Sequence, residues 1–216
     1  ALVTGGLGFI GSNIVKQLIL QKIVNKCIIL DTFTGYVNPV KDNFTDFRKL
    51  RFENFKKIVD ERGDAKDFRL TYKIIKKYKP QYIFHTAAVP LAKIDNLNAR
   101  EAKEGSADTT TNILETINFY KNNNKKYDLK RFVYFSSSMV YGDFKGNKAY
   151  ENDMLSPKEI YGTMKLTGEI ITKGLCGFFK IPYTIVRPSA LYGERCISRR
   201  VGQIFIENAL LGKDIT

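Results

Sequence analysis

The chain has 216 residues, 44% of them hydrophobic, with 35 Lys and Arg against 22 Asp and Glu and a formal net charge of +13. That length suits one well-buried domain with something appended. No apolar run is long enough to span a bilayer, and three scattered cysteines, Cys27, Cys176 and Cys196, form no C-x-x-C pair and argue against a disulfide framework. The positive residues are spread out, without an arginine block or an interleaved aromatic ladder, so they read as a lysine-rich surface rather than a nucleic-acid footprint, and we expect a reduced, cytoplasmic protein.

Ala1-Leu2-Val3 begins a short strand, and Thr4-Gly5-Gly6-Leu7-Gly8-Phe9-Ile10-Gly11 carries it into a helix over 9–22. Two spacings coincide there, G-x-G-x-x-G over Gly6, Gly8 and Gly11, and G-x-x-G-x-x-G over Gly5, Gly8 and Gly11. Either one puts bare backbone N–H groups at a helix N-terminus, where a pyrophosphate can sit, although such a run alone also serves as a plain turn. Cys27 to Leu30 reads as a buried strand. Asp31 at its end lies 20 residues beyond Gly11, the spacing at which a carboxylate hydrogen-bonds an adenosine ribose. That carboxylate would repel a 2′-phosphate, which favours NAD over NADP; the plainer reading is a strand-end Asp that opens a turn. The segment 32–56, rich in Phe and charge, is the least regular and reads as a loop with a short helix. Lys57-Ile58-Val59 forms a third strand that ends before Gly63-Asp64, where Asp64 either borders an adenine or simply turns the chain.

A helix over 67–79 is stopped by Pro80, and the strand Gln81 to Phe84 leads to His85. A helix over 105–122 and the strand Arg131 to Phe135 come next, then the hydroxyl-rich turn Ser136 to Gly142. A hydroxyl at the carboxyl end of a parallel strand is placed to hold a substrate hydroxyl; the bland alternative is a turn whose hydroxyls satisfy backbone groups. There is no G-x-S-x-G elbow, and the only histidine, His85, stands at another strand end. A serine-hydrolase triad is therefore disfavoured, and His85 reads as a partner in local hydrogen bonds. The helix over 157–178 carries Tyr161 and Lys165, four residues apart and so on one face. A phenol of pKa about 10 is a poor base at neutral pH, but a neighbouring ammonium and a cationic nicotinamide ring favour the phenolate. Alone, a Tyr/Lys pair at this spacing is commonplace. The strand Pro182 to Val186 and a helix over 200–211 complete the pattern. Strands alternating with helices, joined by right-handed crossovers, imply a doubly wound parallel α/β sheet.

Taken in this order, Thr4 to Gly11, Asp31, Gly63-Asp64, His85-Thr86-Ala87-Ala88, Ser136 to Gly142, Tyr161 to Lys165, and Arg187-Pro188 to Tyr192-Gly193 resemble the extended short-chain dehydrogenase/reductase family, in its NAD-dependent epimerase/dehydratase branch. The resemblance implies a Rossmann domain over 1–187 that binds NAD, with 188–216 as the start of a truncated substrate-binding lobe, because members run well beyond this length. It implies that Gly5, Gly8, Phe9, Ile10 and Gly11 cradle the pyrophosphate and Asp31 holds the adenosine ribose. Asp64 and Ala65 would border the adenine and Ala87 and Ala88 the nicotinamide side, and Tyr161, Arg187 and Pro188 would also touch the cofactor. Lys165 would hold the nicotinamide ribose and lower the pKa of Tyr161, the base, while Ser137 would be the catalytic hydroxyl. No metal is implied.

The expected substrate is a nucleoside-diphosphate sugar, and a homodimer through packed helices is the family's habit. The branch's 4,6-dehydratases follow the catalytic Ser or Thr with an Asp-Glu pair, where this chain has Ser138 and Met139. Epimerisation, most simply at C4 through a transient keto-sugar, therefore rises above dehydration, decarboxylation or keto-sugar reduction. Ser106 and Ala190 stand about where many members carry Asn. A rival of another class is a non-catalytic NAD-binding module that regulates a partner or touches RNA, supported by the net charge and the short C-terminal portion.

Overall fold

The computed structural model describes residues 1–33, 52, 55–89, 98–144, 146, 148–194, 196 and 201–215. Six strands form one all-parallel sheet: β1 (Leu2–Thr4), β2 (Cys27–Asp31), β3 (Ile58–Arg62), β4 (Tyr82–His85), β5 (Arg131–Phe135) and β6 (Tyr183–Val186). They lie in the order β3-β2-β1-β4-β5-β6, so the winding reverses between β1 and β4, and a crevice opens there at the carboxyl ends of the strands.

Neighbouring strand residues point to opposite faces, and both faces are covered. Val3, Cys27 and Ile29 pack on one side against Val15 and Leu18 of α1 (Phe9–Leu20). Leu2, Ile28, Leu30 and Ile83 pack on the other against Ile74 and Ile75 of α2 (Phe68–Tyr78) and Ile113, Leu114 and Ile117 further along the chain. The start of α2 follows from Asp67, whose carboxylate accepts the Leu70 N–H at 3.0 Å. Its end follows from Lys79, at φ 46°, with Pro80 unable to continue the helix.

The strands fall where the sequence places them, but β3 runs on through Asp60, Glu61 and Arg62. The helix expected over 105–122 is longer and less regular. It begins as α3 (Ala99–Lys103), passes through a π turn over Glu104–Asp108, and becomes α4 (Thr109–Asn123). After β5 a 3₁₀ turn covers Ser138–Tyr141, and α5 (Ile160–Phe179) returns across the sheet. Gly168 lets α5 lie directly on β5, since a Cβ there would strike the Tyr134 hydroxyl. The helix α6 (Val201–Leu210) presents Val201, Ile206 and Leu210 to solvent. The loop and short helix expected in 32–56 fall largely outside the described residues. Cys27, Cys176 and Cys196 are buried and unbridged. Among the described residues, no helix is long and apolar enough to cross a membrane.

Candidate active site

The glycine turn closes on itself. Gly5 has a φ of +66° and donates its N–H to Leu30 O at 2.8 Å, while Gly8 donates to Gly5 O at 3.0 Å. A Cβ on Gly11 would collide with Gly5 O and lie 2.7 Å from Gly6 Cα, so only glycine lets α1 start this close to the turn. Gly8 caps α1 without a side chain, and no acidic residue stands in the first turn. The N–H groups of Phe9, Ile10 and Gly11 lack carbonyl partners one turn back, as at any helix start, so an anion meets donors there with no acidic side chain in the helix's first turn. A pyrophosphate fits this cradle.

Asp31 ends β2 at 5% exposure, beside the turn. One carboxylate oxygen accepts the Leu7 N–H and the other the Phe33 N–H, both at 3.0 Å. The residue expected to read the ribose thus also fastens the glycine turn to the end of β2. Gly63 donates to Asp31 O at 2.9 Å, which sets Asp64 and the buried Ala65 next along the same edge of the crevice. The Asp64 carboxylate accepts the Lys66 N–H at 2.8 Å, an Asx turn. Across the crevice, Ala87 and Ala88 follow β4, and a Cβ on Gly5 would lie 2.9 Å from Ala87 N.

The three expected catalytic residues sit at the ends of β5 and α5. Lys165 is 3% exposed, and its Nζ donates to Phe135 O at 2.7 Å, two residues before Ser137. The same nitrogen lies 5.8 Å from the centre of the Tyr161 ring. Burial lowers the Lys165 pKa to about 8, so the ammonium keeps its proton at neutral pH and loses it just above. Ser137 is buried at the N-cap of the 3₁₀ turn, and its Oγ accepts the Met139 N–H at 3.2 Å. Among the described residues, no three His, Cys, Asp or Glu side chains gather as a metal site.

Arg187 and Pro188 follow β6. Ser138 donates its N–H to Pro188 O at 2.9 Å, which ties this segment to the serine turn. The Arg187 guanidinium is committed elsewhere. Its Nε and Nη2 each donate to a different oxygen of Glu169 at 2.8 Å, and Nη1 donates to the Tyr141 hydroxyl and Glu151 O, both at 2.9 Å. Four of its five N–H donors are thus bonded within the chain.

Glu169, 0% exposed, was not singled out from the sequence, and neither was Ser136, whose Oγ donates to it at 2.5 Å. The signal was present: Glu169 follows Lys165 by four residues, so it shares the buried face with Tyr161 and Lys165. Together Glu169 and Arg187 clamp the serine turn, β6 and α5 to one another. His85, buried and neutral, bonds to Thr4, Thr109 and Thr110. Ser106 is buried in the π turn.

The model of the NAD dependent epimerase/dehydratase family matches residues 1–216. The chain is 29% identical over 226 residues to a dTDP-D-glucose 4,6-dehydratase of Dictyostelium discoideum, covering 100% of this chain and 49% of that protein. It is 34% identical over 197 residues to a putative UDP-glucose 4-epimerase of Methanocaldococcus jannaschii, covering 90% of this chain and 56% of that one. The chain thus spans about half the length of these relatives. Its fold resembles that of UDP-glucuronic acid 4-epimerase from Bacillus cereus, crystallised with UDP-glucuronic acid and NAD, with a TM-score of 0.80, 23% identity, and coverage of 99% of this chain and 64% of that one. It resembles equally a double mutant of DesIV, the dTDP-glucose 4,6-dehydratase of Streptomyces venezuelae, with NAD and DAU bound, at a TM-score of 0.80, 23% identity, and coverage of 98% and 62%. With the family match running from the glycine turn to the last helix, the chain belongs to the NAD dependent epimerase/dehydratase family, the nucleotide-sugar branch of the extended short-chain dehydrogenases/reductases.

Proposed function

We propose that this chain forms the cofactor half of an NAD-dependent nucleoside-diphosphate-sugar 4-epimerase. The observation that carries this reading is the turn after Ser137. Ser138 and Met139 open it, and neither can act as a carboxylate acid or base in removing water. The pyrophosphate would sit on the N–H groups of Phe9, Ile10 and Gly11, with the ribose at Asp31. Bound there, NAD supplies reversible hydride exchange with the sugar carbon. The chain's own residues handle the proton. Ser137 would orient the sugar hydroxyl, and Tyr161, as phenolate, would take its proton. The buried ammonium of Lys165 favours that phenolate through its charge. With the hydride gone and the proton on Tyr161, the sugar is a ketone. Restoring both after the ketone has presented its other face gives the inverted alcohol, with no net oxidation.

Residues 188–216 would begin the substrate lobe, and the protein would act in the cytoplasm as a homodimer. Likeness to a 4,6-dehydratase keeps dehydration, by a different acid/base pair, as the second reading. Offering the protein UDP-, dTDP-, GDP- and CDP-hexoses separates the two. We expect a C4-inverted sugar with the 6-hydroxyl intact; a 4-keto-6-deoxy product would overturn the epimerase assignment. Asp31→Ala is expected to weaken NAD while improving relative affinity for NADP, measured by titrating each cofactor. Equal fractional loss of both would assign the carboxylate's effect to its bond with the Leu7 N–H rather than to the ribose.

A further inference from the structure

His85 is the only histidine in the chain and is buried at the end of β4, beside the point where the winding reverses. Its two ring nitrogens reach different walls of the crevice. Nδ1 lies 2.7 Å from Thr4 Oγ1, on the residue that leads into Gly5. Nε2 lies 3.2 Å from Thr110 Oγ1 and 3.4 Å from Thr109 Oγ1, at the start of α4. The direction of each bond follows from counting hydroxyl protons. Thr110 donates to Ser106 O at 2.6 Å, and Thr109 donates to Gly105 O at 3.0 Å, so both threonine hydroxyls have nearer acceptors than the ring. Nε2 must then carry the proton and donate. Nδ1 is left as acceptor, and the Thr4 hydroxyl donates to it while accepting the Ala87 N–H at 3.3 Å. One directed chain therefore runs from Ala87 N–H through Thr4, His85 and Thr110 to Ser106 O in the π turn.

We propose that His85, fixed as its neutral Nε2–H tautomer, is a positioning residue of the cofactor crevice, acting through Thr4 and the π turn. This rests on the NAD reading above. A protonated ring would turn Nδ1–H against the Thr4 donor and break the chain at the residue preceding the glycine turn. The surroundings oppose protonation: Phe132 and Tyr134 of β5 flank the ring, and the charged group facing it is the Lys165 ammonium of α5. Burial and that charge together hold the imidazole pKa down to about 3.

Because there is one histidine, long-range proton–nitrogen NMR of the unsubstituted chain reports on this ring alone. We expect a proton on Nε2, a bare Nδ1, and no titration between about pH 5 and 8, where an ordinary imidazole ionises. A proton on Nδ1, or a midpoint near 6.5, would overturn the proposal. The positioning role is read from near-isosteric changes. Thr4→Val removes the donor to Nδ1 and should weaken NAD about tenfold, whereas Thr4→Ser should restore most of that loss. Unchanged NAD affinity in Thr4→Val sinks the positioning role. Failure of the unsubstituted chain to bind NAD, with the Nε2–H ring intact, sinks the cofactor reading and this role with it.

Discussion

Replacing Tyr161 with Phe should lower turnover on the order of a hundredfold or more while NAD affinity stays within about threefold of its starting value. The change deletes one oxygen and leaves the ring in place. Lys165 does not depend on that oxygen for its position, because its Nζ is held by Phe135 O at 2.7 Å and by the packing that buries it. The cradle of the glycine turn lies on other elements and is untouched. What would be lost is the group proposed to take the sugar's proton; Ser137 is a far weaker base and the Tyr134 phenol is driven upward by burial, so neither is expected to replace it. Steady-state rates and an NAD titration on the same preparation test this. Turnover that survives would remove Tyr161 as the base, and lost NAD binding would show that its hydroxyl holds the cofactor.

The second large effect falls on stability. Glu169→Ala should destabilise the protein by about 3–5 kcal/mol, because it removes one partner of a buried ion pair and leaves the other uncompensated. Glu169 is fully buried, the Arg187 side chain is 12% exposed, and two parallel bonds of 2.8 Å join them. The same substitution removes the acceptor for Ser136. For a chain of this size the melting temperature should fall by roughly 2–4 °C per kcal/mol. Pairing Glu169→Leu with Arg187→Met removes both charges and should recover part of the loss. A Glu169→Ala melt within a degree of the unsubstituted protein would mean that the pair contributes no more than a surface ion pair does. By position, the pair also joins α5, which carries Tyr161 and Lys165, to the turn that carries Ser137.

The parts of this architecture that the sequence displayed are those with local causes. The glycine turn, Asp31 and the Tyr161/Lys165 spacing are each set within a few residues of one element, and the buried strands are continuous apolar runs. The extension of β3 was hidden because Asp60-Glu61-Arg62 does not look like a strand. Its charges are tolerated because, among the described residues, β3 is an edge strand paired with β2 alone. The α3 helix and π turn ahead of α4 were hidden because the polar stretch 99–108 lacks a helical apolar period and contains Gly105, and the π turn absorbs the irregularity. The Glu169–Arg187 clamp was hidden for a different reason. Its partners lie on different elements, and they meet only when β6 is laid beside β5 with α5 across both. A charged residue on the buried face of α5 was the available clue.

The bond from Leu7 N–H to Asp31 bears on any attempt to re-engineer the coenzyme. If the carboxylate proposed to read the ribose also ties down the glycine turn, that residue cannot be exchanged for a small or basic one with the turn's shape kept unaided. Converting the chain to NADP would take two substitutions, one to make room for the extra phosphate and another to give Leu7 a new acceptor. Coenzyme choice and loop geometry are in that sense linked, and a library that varies position 31 alone should shift relative coenzyme preference only while weakening the hold on either coenzyme.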